Sequence, residues 1–201
     1  FNVTNIEISE NGNLFKGYNG GEATTNDGVK IIAEQFEYNK FRTILSAEGN
    51  VFYEDAKQNI VIEANRIKYI KNFEIIEATG DVKIKDDIGK IILSAENVSY
   101  SKNKKLFEAN KNVEINDLNR DLYINAEKIL YFSDNQKIVA DTNVRLINKK
   151  KNISIKAEKI TYDKKLNRFF TLGITEADIY SKHKLLSKDV NYDGNKDELS
   201  S

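Results

Sequence analysis

The side chains best suited to bond-making or ligand chemistry are sparse in this sequence, and most of them recur at regular steps. There is no cysteine, which excludes disulfides, thiolate zinc sites and cysteine nucleophiles. His183 is the only histidine; flanked by Lys182 and Lys184, it reads as a solvated residue of a polar turn, because one imidazole without thiolate partners makes a poor transition-metal site. Glutamates stand at Glu34, Glu96, Glu127 and Glu158. Paired-carboxylate hydrolysis needs two such groups close together, whereas these form a ladder along one surface and read as structure. Lys149-Lys150-Lys151 could meet an anionic sugar or phosphate but fits a solvated hairpin better. Gly20-Gly21 and Asp27-Gly28 carry turn chemistry without Walker or Rossmann spacing. No Ser-His-Asp or Cys-His constellation can be assembled, so the residues predict no catalytic site, no metal and no cofactor.

Composition points the same way. The 31 basic and 31 acidic residues cancel, which removes the electrostatic case for a nucleic-acid binder working by phosphate neutralisation. Methionine is absent and residue 1 is Phe, so a mature protein or an excised fragment is expected. No stretch is long and apolar enough to span a membrane as a helix. Proline is also absent, and 10 Tyr and 10 Phe with many Ile and Val favour ordered β structure.

What must position these residues is a repeat. Tyr38, Tyr69, Tyr100, Tyr131 and Tyr162 follow at steps of 31, with Tyr192 30 further on. Ala33, Ala64, Ala95, Ala126 and Ala157 keep the same step; so do Ala47, Ala78, Ala109 and Ala140, then Thr171, and Val51, Val82, Val113 and Val144, then Thr175. Four columns in register define a tandem architecture.

Each unit holds two segments between polar turns. In the second, Ile76, Ala78, Gly80, Val82 and Ile84 alternate with Glu77, Thr79, Asp81, Lys83 and Lys85, the period-2 pattern of a strand with one wet face. In the first, Ile60, Ile62 and Ala64 share one parity while Ile67 and Tyr69 have the other, which requires a bulge or corner at the Ala-Asn or Ala-Glu pair. Small residues sit midway along the second segment as well. An antiparallel meander with every strand creased at the same level folds into a V. The predicted fold is therefore all-β: an antiparallel open β-jelly roll, or "β-taco", of tandem 31-residue two-strand repeats. One domain is expected over 1–201, with an N-terminal edge strand and loop (1–29), five repeats (30–183) and a C-terminal edge strand and tail (184–201). A parallel β-helix would also be periodic, but the long alternation from Leu45 to Tyr53 argues against its shorter strands.

Units such as Ala33-Glu34-Gln35-Phe36-Glu37-Tyr38 followed by Ala47-Glu48-Gly49-Asn50-Val51 resemble the OstA-like repeats of the lipopolysaccharide-transport (Lpt) family, over roughly residues 30–192. The opening Phe1-Asn2-Val3-Thr4-Asn5-Ile6-Glu7-Ile8 resembles the N-terminal periplasmic domain of the family's outer-membrane assembly branch (LptD), and next its soluble bridge branch (LptA).

The resemblance implies a non-enzymatic periplasmic module, tethered to the outer membrane if it belongs to the assembly branch. It would bind lipopolysaccharide by the acyl chains of lipid A and meet an outer-membrane barrel continuing the chain. A V-shaped pair of half-sheets supplies a means: an apolar groove with wet rims, whose inward-facing candidates are Leu45, Ala47, Val51, Ile62, Ala64, Ile67, Tyr69, Ile76, Ala78, Val82, Ile84, Leu93, Val98, Phe107, Val113, Ile115, Ile124, Ile129, Ile138, Val144 and Leu146. Any one of them also serves an ordinary core. A meander that does not close leaves unpaired edges, with candidates Val3, Ile6 and Ile8 at one end and Leu185, Val190 and Tyr192 at the other, for stacking on another OstA-like jelly-roll domain. The competing readings are a structural or adhesive β-solenoid with a filled interior and no lipid ligand, and a carbohydrate-active β-solenoid, which the lack of non-repeating carboxylates disfavours.

Overall fold

The alternating segments become long antiparallel strands. The computed structural model describes residues 2–25, 28–179 and 183–201; Asp27, half of the expected Asp27-Gly28 turn, and Lys182 lie outside them. The strands are β1 (Asn2–Ser9), β2 (Leu14–Thr24), β3 (Val29–Ala33), β4 (Gln35–Asn39), β5 (Ile44–Asp55), β6 (Ile60–Ile70), β7 (Ile75–Asp86), β8 (Ile91–Ser101), β9 (Leu106–Asp117), β10 (Leu122–Phe132), β11 (Lys137–Asn148), β12 (Ile153–Asp163), β13 (Arg168–Ile179), β14 (His183–Lys188), β15 (Asn191–Asp193) and β16 (Glu198–Ser200). They form one antiparallel sheet in sequence order, in which β3 with β4, and β14 with β15, act as the two halves of one broken strand. The N-terminal stretch expected as one edge strand and a loop holds two paired strands, β1 and β2.

The crease has a backbone cause. Thr79 pairs with Asn97 and Val82 with Ala95, so Gly80 and Asp81 of β7 face a single residue of β8. Both are left-handed, at φ 78° and 50°. A left-handed pair cannot lie flat in a ladder, so the strand turns a corner there. Gly49-Asn50, Lys111-Asn112 and Thr142-Asn143 repeat the device. On β6 the buried parity switches across Asn65-Arg66, as the sequence requires. Glycine at 80 also leaves room: a Cβ there would lie 2.7 Å from the Asn65 side-chain nitrogen.

With every strand bent at one level, the two half-sheets face each other over a single core whose largest fully buried side chains include Tyr53, Tyr100, Tyr131, Tyr162 and Phe107. Each buried Ile, Leu or Val contributes on the order of 1.5–3 kcal/mol, and the period-2 pattern delivers them all to the concave side. In the last unit Thr171 takes the alanine column and Thr175 the valine column; their hydroxyls, 2.6 Å apart, satisfy each other inside the core.

Candidate functional site

All 21 apolar residues expected to face inward do so, in one continuous cluster. None is more than 7% exposed. The expected open groove is thus closed. Its middle is filled by an aromatic ladder in which Phe107 stacks on Tyr100 at 4.0 Å and on Tyr131 at 5.7 Å between ring centroids.

What closes it is a polar seam along the mouth of the V, where turns at opposite ends of the strands meet. Lys102 reaches across to Asp55 (2.8 Å), with both side chains almost fully buried. Tyr131 donates to Asp86 Oδ2 (2.5 Å). Lys164 donates to Asp117 Oδ1 (2.8 Å) and to the Gly89 carbonyl, and Tyr162 donates to Asp117 Oδ2 (3.2 Å). Tyr100 donates to Gln58 (3.0 Å) and Arg120 to Asn167 (3.2 Å). The aspartates also hold their own turns: Asp86 Oδ1 accepts the Ile88 and Gly89 amides. Burial pushes the phenols of Tyr100, Tyr131 and Tyr162 well above their ordinary value, and the neighbouring Asp55, Asp86 and Asp117 carboxylates push the same way.

Apart from the Lys164 bond to Gly89, which spans 75 residues, the partners in this seam stand 42 to 47 residues apart, about one and a half repeats. Directly opposed turns of a flat folded meander would be half a repeat apart. The right-handed twist of the strands displaces one half-sheet relative to the other, so that each turn meets one three strands further along. The sequence carried a signal for these residues that the apolar columns overshadowed. Asp55, Asp86 and Asp117 recur at 31, and Lys40, Lys71, Lys102 and Lys164 share another column, with Ser133 in the remaining place.

The remaining sequence candidates fall as follows. Glu34, Glu96, Glu127 and Glu158 are exposed on the outer side of the crease. There Glu34 accepts from Asn50 (2.7 Å) and Glu96 pairs with Lys111 (3.6 Å), so these two brace corners. Lys149 and Lys150 are exposed, but Lys151 departs from the solvated-hairpin reading: it donates to Tyr192, the Gly194 carbonyl and Asp197 and closes the C-terminal mouth. His183 is exposed as expected, yet it opens β14 opposite Ile179 rather than sitting in a turn, because the ladder to β13 extends to it. Of the edge candidates, Val3, Ile6 and Ile8 lie on β1, which among the described residues pairs only with β2, and Leu185 lies on β14, which among them pairs only with β13. Val190 and Tyr192 are not at an edge. Val190 is fully buried with its amide bonded to Thr171, and β16 covers β15, so Tyr192 stacks on Phe169 inside the core. Among the described residues no group of three or more acidic or histidine side chains could hold a metal ion.

A family model described as "LptA/(LptD N-terminal domain) LPS transport protein" matches residues 61–168, more than half of the chain. No curated protein sequence matches. Among solved structures, LptH, the LptA-homologous periplasmic component of the lipopolysaccharide transport device of Pseudomonas aeruginosa, is similar at 16% identity. That match covers 68% of this chain and 76% of LptH, with a TM-score of 0.30.

Proposed function

The chain belongs to the LptA/LptD N-terminal-domain family of lipopolysaccharide-transport proteins, and from that premise we propose that it is a non-enzymatic periplasmic module that shelters lipid A acyl chains between its half-sheets and hands them toward the outer membrane. One observation carries the reading: the apolar interior is continuous through the repeats, and along its mouth it is shut by side chains rather than by a backbone ladder. A buried ion pair is about as stable as an apolar replacement, because desolvation offsets most of its attraction. When the mouth parts, Lys102, Asp55, Lys164 and Asp117 regain water. Each acyl methylene that enters is worth about 0.8 kcal/mol. Opening is therefore cheap at the mouth and rewarded inside, whereas parting the strands of either half-sheet would break rows of backbone hydrogen bonds.

The free edges supply a second part of the proposal. β1, with Val3, Ile6 and Ile8, and β14, with Leu185, would each add a strand from another jelly-roll domain of the same kind, making the interior continuous between domains. An outer-membrane barrel in the same chain is the corresponding partner if this is an assembly-branch domain.

The test is photocrosslinking to lipopolysaccharide from a reactive residue at Val82 or Val113, with the outward-facing Glu114 as control. Adducts from the inner positions and not from the control are expected. If neither inner position captures lipid, the interior is a structural core only and the scaffold reading replaces this one.

A further inference from the structure

The lysine-aspartate pairing of the seam does not extend to its N-terminal end. The offset that sets Lys102 against Asp55 and Lys164 against Asp117 sets Lys71, one unit before Lys102, against Thr24. Thr24 stands where each of the next three units has aspartate. Lys71 and Thr24 both line a pocket of about 210 Å³, together with Tyr38, Leu45 and Tyr69. Leu45 and Tyr69 belong to the core cluster and Tyr38 packs against it, so the pocket is a window on the interior. Lys71 is exposed, and no carboxylate among the described residues forms an ion pair with it.

The rim is distinctive as well. The turns 39–43 and 70–74 are joined by the Lys71 amide donating to the Thr43 carbonyl (3.1 Å). They carry Phe41 and Phe73, 88% and 68% exposed, beside Lys40 and Arg42. Exposed aromatics flanked by cations around an apolar opening suit an anionic amphiphile: tail inward, charge at the lip. The volume is below the about 300 Å³ at which pockets begin to hold whole small molecules, which fits the end of one acyl chain.

We propose that this gap is a port where a single acyl chain enters between Tyr38, Leu45 and Tyr69 while a phosphate on the same amphiphile pairs with Lys71, replacing the missing aspartate. The port rests on the transport reading and specifies where and by what chemistry the interior is first engaged.

The probes are a long-chain alkyl phosphate and a neutral alkyl glycoside of equal chain length, titrated against the whole chain. The wild type should bind the phosphate more tightly than the glycoside. Lys71→Gln should weaken phosphate binding about tenfold, the scale of one charged hydrogen bond, and leave the glycoside unchanged. Thr24→Asp restores the seam pair and should weaken both probes, whereas Thr24→Asn should weaken neither. Unchanged phosphate binding in Lys71→Gln, an exposed and fold-neutral site, overturns the port even if Thr24→Asp fails to fold. If Val82 and Val113 still capture lipopolysaccharide in that case, only the port is lost; if they do not, the transport reading is lost with it.

Discussion

Lys102 and Asp55 offer the sharpest test of whether the mouth is closed. Their charged atoms are 2.8 Å apart, and the side chains are 7% and 2% exposed. Lys102→Met keeps the packing of the stem but strands a buried carboxylate, which costs about 3–5 kcal/mol. Asp55→Leu strands the ammonium at a similar cost and also loses the turn bond that Asp55 Oδ1 accepts from the Gln58 amide (3.1 Å), worth about 1 kcal/mol. The double variant leaves no charge unpaired. It should lie within about 1–2 kcal/mol of the wild type, the lost turn bond being the main residue. The coupling between the two sites should therefore reach several kcal/mol, read from urea unfolding midpoints at neutral pH in a double-mutant cycle. Single losses below about 1 kcal/mol that simply add would be the behaviour of a hydrated surface pair. That result would refute a sealed mouth.

Three further outcomes follow from the same geometry. Thr142 holds a left-handed crease position at φ 68° that Gly80, at φ 78°, fills without strain two units earlier. Thr142→Gly should raise the unfolding free energy by about 1 kcal/mol, and Gly80→Ala should lower it by at least as much, both read from urea midpoints. The raised phenols of Tyr100, Tyr131 and Tyr162 stay protonated in the fold while the unfolded chain ionises near pH 10. Their stabilisation is thus fully present below pH 10 and lost above it, at about 1.4 kcal/mol per pH unit for each. Tyr131→Phe should flatten the slope of an alkaline unfolding series by one such share. Val190→Ala should cost about 1–3 kcal/mol in thermal or urea unfolding, since Val190 is fully buried; an edge residue would cost almost nothing.

The sequence alone determined the strands and their creases. Alternation is local, so Ile76, Ala78, Val82 and Ile84 declare one face of β7 without reference to anything distant. The parity switch between Ala64 and Ile67 declares a corner because a strand cannot change faces otherwise. The tandem spacing then places all corners at one level, and the inward assignment of the apolar columns needs nothing more.

Only the tertiary structure decided whether the V stands open. Asp55, Asp86 and Asp117 look like ordinary hairpin aspartates, and Lys102 and Lys164 like solvated turn lysines. Their pairing depends on how far twist displaces one half-sheet along the other, which accumulates over three strands and is written in no single segment. The same holds at the ends. Tyr192 continues the tyrosine column but is kept from the edge by β16, Val190 is sealed by Thr171, and Lys71 is set against a threonine by an offset that no local pattern reveals. Period-2 patterning decides which way a side chain points; the twist of the whole sheet decides what it meets.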